Sequence, residues 1–222
     1  MLPVDHVYVL NLDRRPEKWK QTKDQFDIYG IDAERFPAVD GLNNDIQEQF
    51  SSMPKTERIR NANMLACLLS HLNIIKDAIK NNYKSIAVFE DDVLLHRNFP
   101  SEIKRINKLK NWDLIYLGAC QSKWEDVKVI NGFYRPVNTL GAWAFLVNSR
   151  VFHSIKEQHE RLETTADIGL VKLFSNHDKC YVASPNICIS DTTISDLRTW
   201  STWEKTCNLY QWKANNYYGQ SY

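Results

Sequence analysis

"SIAVFEDDVLL", residues 85–95, is the stretch that decides how this chain reads. An apolar run rich in β-branched and aromatic residues stops at Glu90, Asp91 and Asp92, and apolar residues resume at Val93. The run reads as a buried strand with acids at its carboxyl end. Three adjacent carboxylates repel one another, so a compensating group or ion is expected beside them. Alternation along a strand puts Glu90 and Asp92 on one side and Asp91 on the other. These residues by themselves leave three readings open: a solvated turn, a site for a hard divalent cation such as Mg²⁺ or Mn²⁺, or an acid/base pair.

Working outward, strand and helix patterns alternate. "VYVLNL" (7–12) is an apolar strand, followed by a helix whose start suits Pro16 and whose end suits Gly30. "ERFPAVDG" (34–41) reads as a second strand closing in a turn, and the polar residues 42–60 read as a long loop. From Asn61 to Asn81 the apolar residues Met64, Leu65, Leu68, Leu72, Ile75 and Ile79 recur at helical spacing. After the central strand the pattern predicts a helix near 100–110 and the strands "WDLIYLG" (112–118) and "GAWAFLVN" (141–148). A helix capped by Asn148 or Ser149 follows, with Val151, Phe152, Ile155 and Leu162 on it, then a short helix near 168–175 and the strand "KCYVASP". Such alternation predicts an α/β fold with a mainly parallel sheet flanked by helices on both faces. The aromatic-rich end, about 197–222, departs from the pattern and is expected to pack on a single domain spanning 1–222.

Composition narrows the function classes. With 222 residues, 43% apolar and 25% charged, the chain can bury a sizeable core. A net charge of +1 gives no reason to expect nucleic acid as a partner. No apolar run approaches the roughly 20 residues that span a bilayer. "MLPVDHVYVLNLDRR" reads as a first strand rather than a leader peptide, which makes the cytoplasm the expected compartment. The five cysteines are scattered, with no CxxC pair, and read as thiols in a reducing setting. His153 and His159 lie six apart, cannot share a helix face as a metal pair, and read as surface residues.

The motifs "VYVLNLDRRPEKW", "FPAVDG", "CLLSHLNIIKDAI", "IAVFEDDVLL" and "WDLIYLG", in this order over residues 7–118, resemble glycosyltransferase family 25. That family holds lipopolysaccharide-type galactosyl- and glucosyltransferases and the related collagen galactosyltransferases. "GAWAFLVNSRVF", "TADIGL" and "ISD" continue the resemblance. It implies a GT-A type nucleotide-diphosphosugar transferase fold that uses a carboxylate-bound divalent metal, Mn²⁺ or Mg²⁺, and inverts the anomeric carbon. The implied partners are a UDP-hexose donor, galactose ahead of glucose, and a hydroxyl-bearing glycan, lipid-linked saccharide or protein acceptor.

The resemblance also distributes roles. Asp92 becomes the primary metal ligand, Glu90 a direct or water-mediated one, and Asp91 a ribose contact. Asp191 in "CISDTTISDLR" is the candidate third ligand, with Asp196 in reserve. Asn11, Arg14 and Arg15 follow the first strand, where nucleoside and diphosphate are expected, and Asp40 is a further nucleoside contact or a turn former beside Gly41. Asp167 is the expected general base, with a helix N-cap as the plain alternative. One segment departs from the family, which commonly carries Gly-Glu-x-Gly-Cys before Ser-His. Here Asn63, Met64, Leu65, Ala66 and Cys67 precede Ser70 and His71, which puts sugar identity and turnover in question, and His71 reads as a core residue. The rival classes are a nucleotide- or glycan-binding module without turnover and a metal phosphohydrolase, the latter wanting a second acidic cluster that the sequence does not supply before Asp167.

Overall fold

The computed structural model describes residues 2–121, 128–130, 132–192 and 203–218. Its main sheet runs in the order β2 (Glu34–Pro37), β1 (His6–Asn11), β3 (Ser85–Glu90), β8 (Leu140–Asn148), β5 (Leu114–Cys120), β9 (Cys180–Ala183), β7 (Phe133–Tyr134), β6 (Lys128–Ile130). β1 pairs in parallel with both β2 and β3, and β5 with β9, whereas β8 runs antiparallel between β3 and β5. β7 is also antiparallel to its neighbours, so the sheet is mixed, with most strands sharing one direction. A separate antiparallel ribbon joins β4 (Val93–Leu95) to β10 (Cys188–Ser190).

Period-two alternation along buried strands creates two cores. From β3, Ala87 and Phe89 enter one cluster with Phe26 of α1 (Pro16–Ile28), and with Phe99, Ile103 and Ile106 of α4 (Phe99–Ile106). Ile86 and Val88 face the other way, against α3 (Ala62–Lys80), α5 (Phe152–Glu160) and α6 (Ala166–Phe174). A fully buried side chain such as Phe89 contributes about 2–3 kcal/mol relative to exposure. The β4–β10 ribbon and α7 (Trp203–Tyr210) cover the first cluster, and Trp212 and Tyr217 are buried in it. The buried Tyr217 hydroxyl donates to Asn186 O at 2.7 Å, so that end of the chain is tied by a polar contact as well as by apolar area.

Local chemistry sets the ends of the elements. Pro16 opens α1, and Gly30 closes it at φ +61°, with Ile31 N donating to Phe26 O across the glycine. Asn61 caps α3 by accepting from Met64 N. Asn148 accepts from Arg150 N, starting the 3-10 turn that leads into α5.

Two sequence expectations change. Residues 42–60 are not a continuous loop, because α2 (Asn44–Ser52) lies within them. Asn43 caps it by accepting from Asp45 N, and Ile46 and Phe50, four apart, pack on the second cluster. The two apolar residues were hidden in a polar run. His159 is buried rather than on the surface, since it lies four residues after buried Ile155 on the face of α5 turned inward, whereas His153 is exposed. Burial pushes the His159 imidazole down to about 3, with nearby His71 adding to the shift, so His159 is neutral.

Candidate active site at the carboxyl end of strand β3

β3 ends at Glu90, and the chain turns at Asp91 and Asp92 before entering β4. The expected alternation of the triplet stops where the strand stops, and the three carboxylates diverge. Glu90 lies on the α3 side, where its Oε1 is 3.0 Å from His71 Nε2. Asp91 turns toward β1 and α1: Asn11 Nδ2 donates to its Oδ2 at 2.6 Å, and Lys18 Nζ lies 3.9 Å from Oδ1. Asp92 reaches the ribbon instead, where Ser190 Oγ donates to its Oδ2 at 2.9 Å. Asp191 follows directly, with its backbone N–H donating to Asp92 O at 2.7 Å. Asp196 lies outside the described residues.

The three acids line a cleft of about 670 Å³, counted with the part open to solvent. Its other walls come from Leu10 of β1, Leu12 and Arg14 after it, Lys18 of α1, Asp40 and Gly41 after β2, and Asn63, Ala66, Cys67 and Ser70 on α3. The location follows from the fold, since open α/β sheets bind ligands beyond the carboxyl ends of their parallel strands. Arg14 Nε donates to Asp40 Oδ2 at 2.7 Å, while Asp40 Oδ1 accepts from Leu42 N, so Asp40 both shapes its turn and aims the guanidinium. Gly41 is pressed against the start of α3, where a Cβ would meet the backbone and side chain of Asn63. Gln47 of α2 donates to Gly41 O, which braces the same wall. Arg15 is 3.6 Å from Glu17, and its carbonyl accepts from Asn11 Nδ2. Arg35 Nε in turn donates to Asn11 Oδ1 at 2.7 Å, which fixes the amide that orients Asp91.

Asp167 is the second residue of α6, not its cap; Thr165 occupies that position. Thr165 Oγ1 and Ile168 N both donate to Asp167 Oδ1, at 2.6 and 2.9 Å. Burial raises the phenol of Tyr116, and Cys180 and then the Asp167 carboxylate add to the shift. Tyr116 and Val88 both pair with Phe145 on the sheet face covered by α3, α5 and α6, and Asp167 belongs to that face rather than to the lining of the cleft among the described residues.

The sequence did not single out Lys18, and it read His71 as core alone. His71 is 3% exposed and stacks on Phe145, yet it also holds Glu90. The signal for Lys18 was its place two residues after Pro16, in the turn that opens toward the strand ends.

Burial, then the neighbouring Glu90 and Asp91 charges, push Asp92 up to about 7 against the opposing pull of Lys18 and Ser190. Its Oδ1 is buried with no hydrogen-bond partner among the described residues. Hard oxygen donors, a buried oxygen lacking a donor and crowded negative charge fit a divalent cation. The linkage has a definite sign: the folded state holds the Asp92 proton more tightly than the unfolded chain, so stability falls as pH rises from about 4 to about 7. Asp92→Asn keeps an acceptor for Ser190 and removes the buried charge. In metal-free protein its melting temperature is expected to match wild type near pH 4 and to exceed it at pH 8. Each kcal/mol corresponds to about 2–4 °C at this chain length. Equal melting temperatures at pH 8 would remove the electrostatic account.

The arrangement is that of a GT-A type glycosyltransferase fold. A solved glycosyltransferase involved in the glycosylation of the major capsid of PBCV-1 shares it, with a TM-score of 0.50 and 10% identity over 86% of this chain and 94% of that one. Residues 4–164 match glycosyltransferase family 25 (LPS biosynthesis protein), and the chain belongs to that family. A "Glycosyltransferase 25 family member" of Anopheles gambiae is 31% identical over 144 residues, covering 59% of this chain and 24% of that protein. An "Inactive glycosyltransferase 25 family member 3" of Mus musculus is 31% identical over 143 residues, covering 58% and 24%. The chain thus spans about a quarter of the length of these curated relatives. Among the described residues no helix is long and apolar enough to cross a membrane.

Proposed function

We propose that the chain transfers a hexose from a UDP-sugar, galactose ahead of glucose, to a hydroxyl of a glycan, lipid-linked saccharide or protein, with inversion at the anomeric carbon. The observation that carries this reading is the convergence of Glu90, Asp91 and Asp92 with Arg14 and Lys18 in one cleft at the strand ends. Asp92 and Glu90, with Asp191, would hold Mn²⁺ or Mg²⁺, which would supply positive charge to offset that of the departing nucleoside diphosphate. Asp91, aimed by Asn11, accepts from the ribose hydroxyls. Asp40 sets Arg14 beside the nucleotide, and Lys18 adds a second positive charge for the diphosphate, with Arg15 at the rim. Asp167 takes the proton of the acceptor hydroxyl as that oxygen bonds to the anomeric carbon and the bond from that carbon to the β-phosphate oxygen breaks.

A thermal-shift screen of UDP-, GDP- and CMP-sugars, with and without Mn²⁺, tests the donor. A ligand at about 100 times its Kd adds about 2.7 kcal/mol to the native state, which is on the order of 5–10 °C at this chain length. The expected shift appears with UDP-hexose plus Mn²⁺. A shift confined to GDP- or CMP-sugars counts against the donor.

A second reading is a nucleotide- or glycan-binding member without turnover. It is favoured by the changed segment Asn63–Ala66, which forms a cleft wall against Gly41, and by the relative whose name calls it inactive. UDP-sugar binding without Mn²⁺-dependent transfer or donor hydrolysis selects it.

A further inference from the structure

Cys67 and His71 are four residues apart on α3 and so share one face of the helix. Glu90 projects from the end of β3 toward the same face. The sulfur of Cys67, an imidazole nitrogen of His71 and a carboxylate oxygen of Glu90 all lie within 4.8 Å of one another. We propose that these three side chains form a binding site for a borderline-soft divalent cation, Zn²⁺ or Co²⁺, distinct in chemistry from the hard-cation position at Asp92.

The donor set selects the cation. Thiolate and imidazole favour Zn²⁺ and Co²⁺ over Mg²⁺ and Mn²⁺, which prefer sites made of oxygen alone. Zinc takes sulfur at about 2.3 Å and nitrogen or oxygen at about 2.0–2.2 Å, so tetrahedral ligands stand about 3.3–3.7 Å apart. The imidazole and carboxylate atoms stand 3.0 Å apart and the Cys67 sulfur lies within 4.8 Å of both, so side-chain rotation alone closes the set. Burial supports the geometry: His71 is held by its stack on Phe145, and Cys67 is half-buried at the cleft wall, whereas the other four cysteines are buried elsewhere. Three protein ligands leave a fourth position facing the cleft, the pattern of an open site. The thiolate is the ligand form of cysteine, so binding releases the thiol proton and affinity rises with pH. Occupancy withdraws Glu90 from the Asp92 site. This consequence rests on the functional reading above; the binding itself does not.

The test is an absorption titration of the whole chain with Co²⁺ alone, no nucleotide present, followed by displacement with Zn²⁺. Wild type is expected to show a thiolate-to-cobalt charge-transfer band in the near ultraviolet and the intense visible bands of tetrahedral cobalt, at one equivalent. Cys67→Ser is expected to lose the charge-transfer band, and Glu90→Gln to weaken affinity at least tenfold. Asp92→Ala is expected to keep the band while losing UDP and Mn²⁺ binding, which separates this site from the proposed transferase site. No band in wild type, or a band that survives in Cys67→Ser, overturns the proposal. Because Cys67→Ser changes one atom at a half-buried position, unchanged circular dichroism and melting establish that it folds.

Discussion

Asp92→Ala is expected to abolish Mn²⁺-dependent UDP binding, lowering calorimetric affinity at least about 100-fold, or about 2.8 kcal/mol. The fold is expected to survive. The substitution leaves the Ser190 hydroxyl without its acceptor, a cost of about 1 kcal/mol. It also removes a buried charge that disfavours the native state near neutral pH. The two changes oppose each other, so metal-free stability moves little while binding is lost. Glu90→Gln is expected to be milder, since the amide keeps a polar contact with His71 and loses only charge. Unchanged affinity for UDP plus Mn²⁺ in folded Asp92→Ala would sink the assignment and leave Glu90 and Asp191 as the remaining ligands.

Asp167→Asn is expected to lower turnover by roughly a hundred- to ten-thousand-fold with donor affinity unchanged. A base acts on the proton in the transition state, so its loss appears in kcat rather than in binding. The asparagine oxygen still accepts from Thr165 Oγ1 and Ile168 N, because both bonds go to one oxygen of the aspartate. Those bonds help to order the first turn of α6. A variant that transfers sugar at a near-normal rate yet melts several degrees lower would mark Asp167 as an element of the helix start. The base would then be sought at Asp191 or Asp196.

The two residues show different kinds of sequence legibility. Asp92 was singled out because a buried strand that ends in three acids is an unusual local pattern, and Asp191 was singled out through the family resemblance. The backbone bond between them was not, since it depends on β10 pairing with β4 across almost a hundred residues. Asp167 was visible as an acid near a helix start, but its position beside Tyr116 required α6 to lie on the same sheet face as α3. Lys18 was read only as part of the helix that starts at Pro16, although its side chain is 12% exposed and lies against Asp91.

By itself, the sequence determined the main helices and strands and their two-sided burial, but not α2 or the β4–β10 ribbon. Apolar periodicity, Pro16, Gly30 and the Asn61 cap are local signals, and local backbone preference reads them without knowledge of the rest of the chain. The order of motifs over residues 7–118 likewise determined the family. Tertiary structure decided where the antiparallel strands entered the sheet, and it decided the separate directions of Glu90, Asp91 and Asp92. The strand period ends at Glu90, and beyond it each carboxylate goes to whichever distant donor reaches it: His71 from α3, Asn11 and Lys18 from β1 and α1, and Ser190 from β10. Such pairings join residues far apart in the chain, and no local pattern encodes them. They are fixed only when the sheet brings those ends together and burial makes an unpaired charge costly.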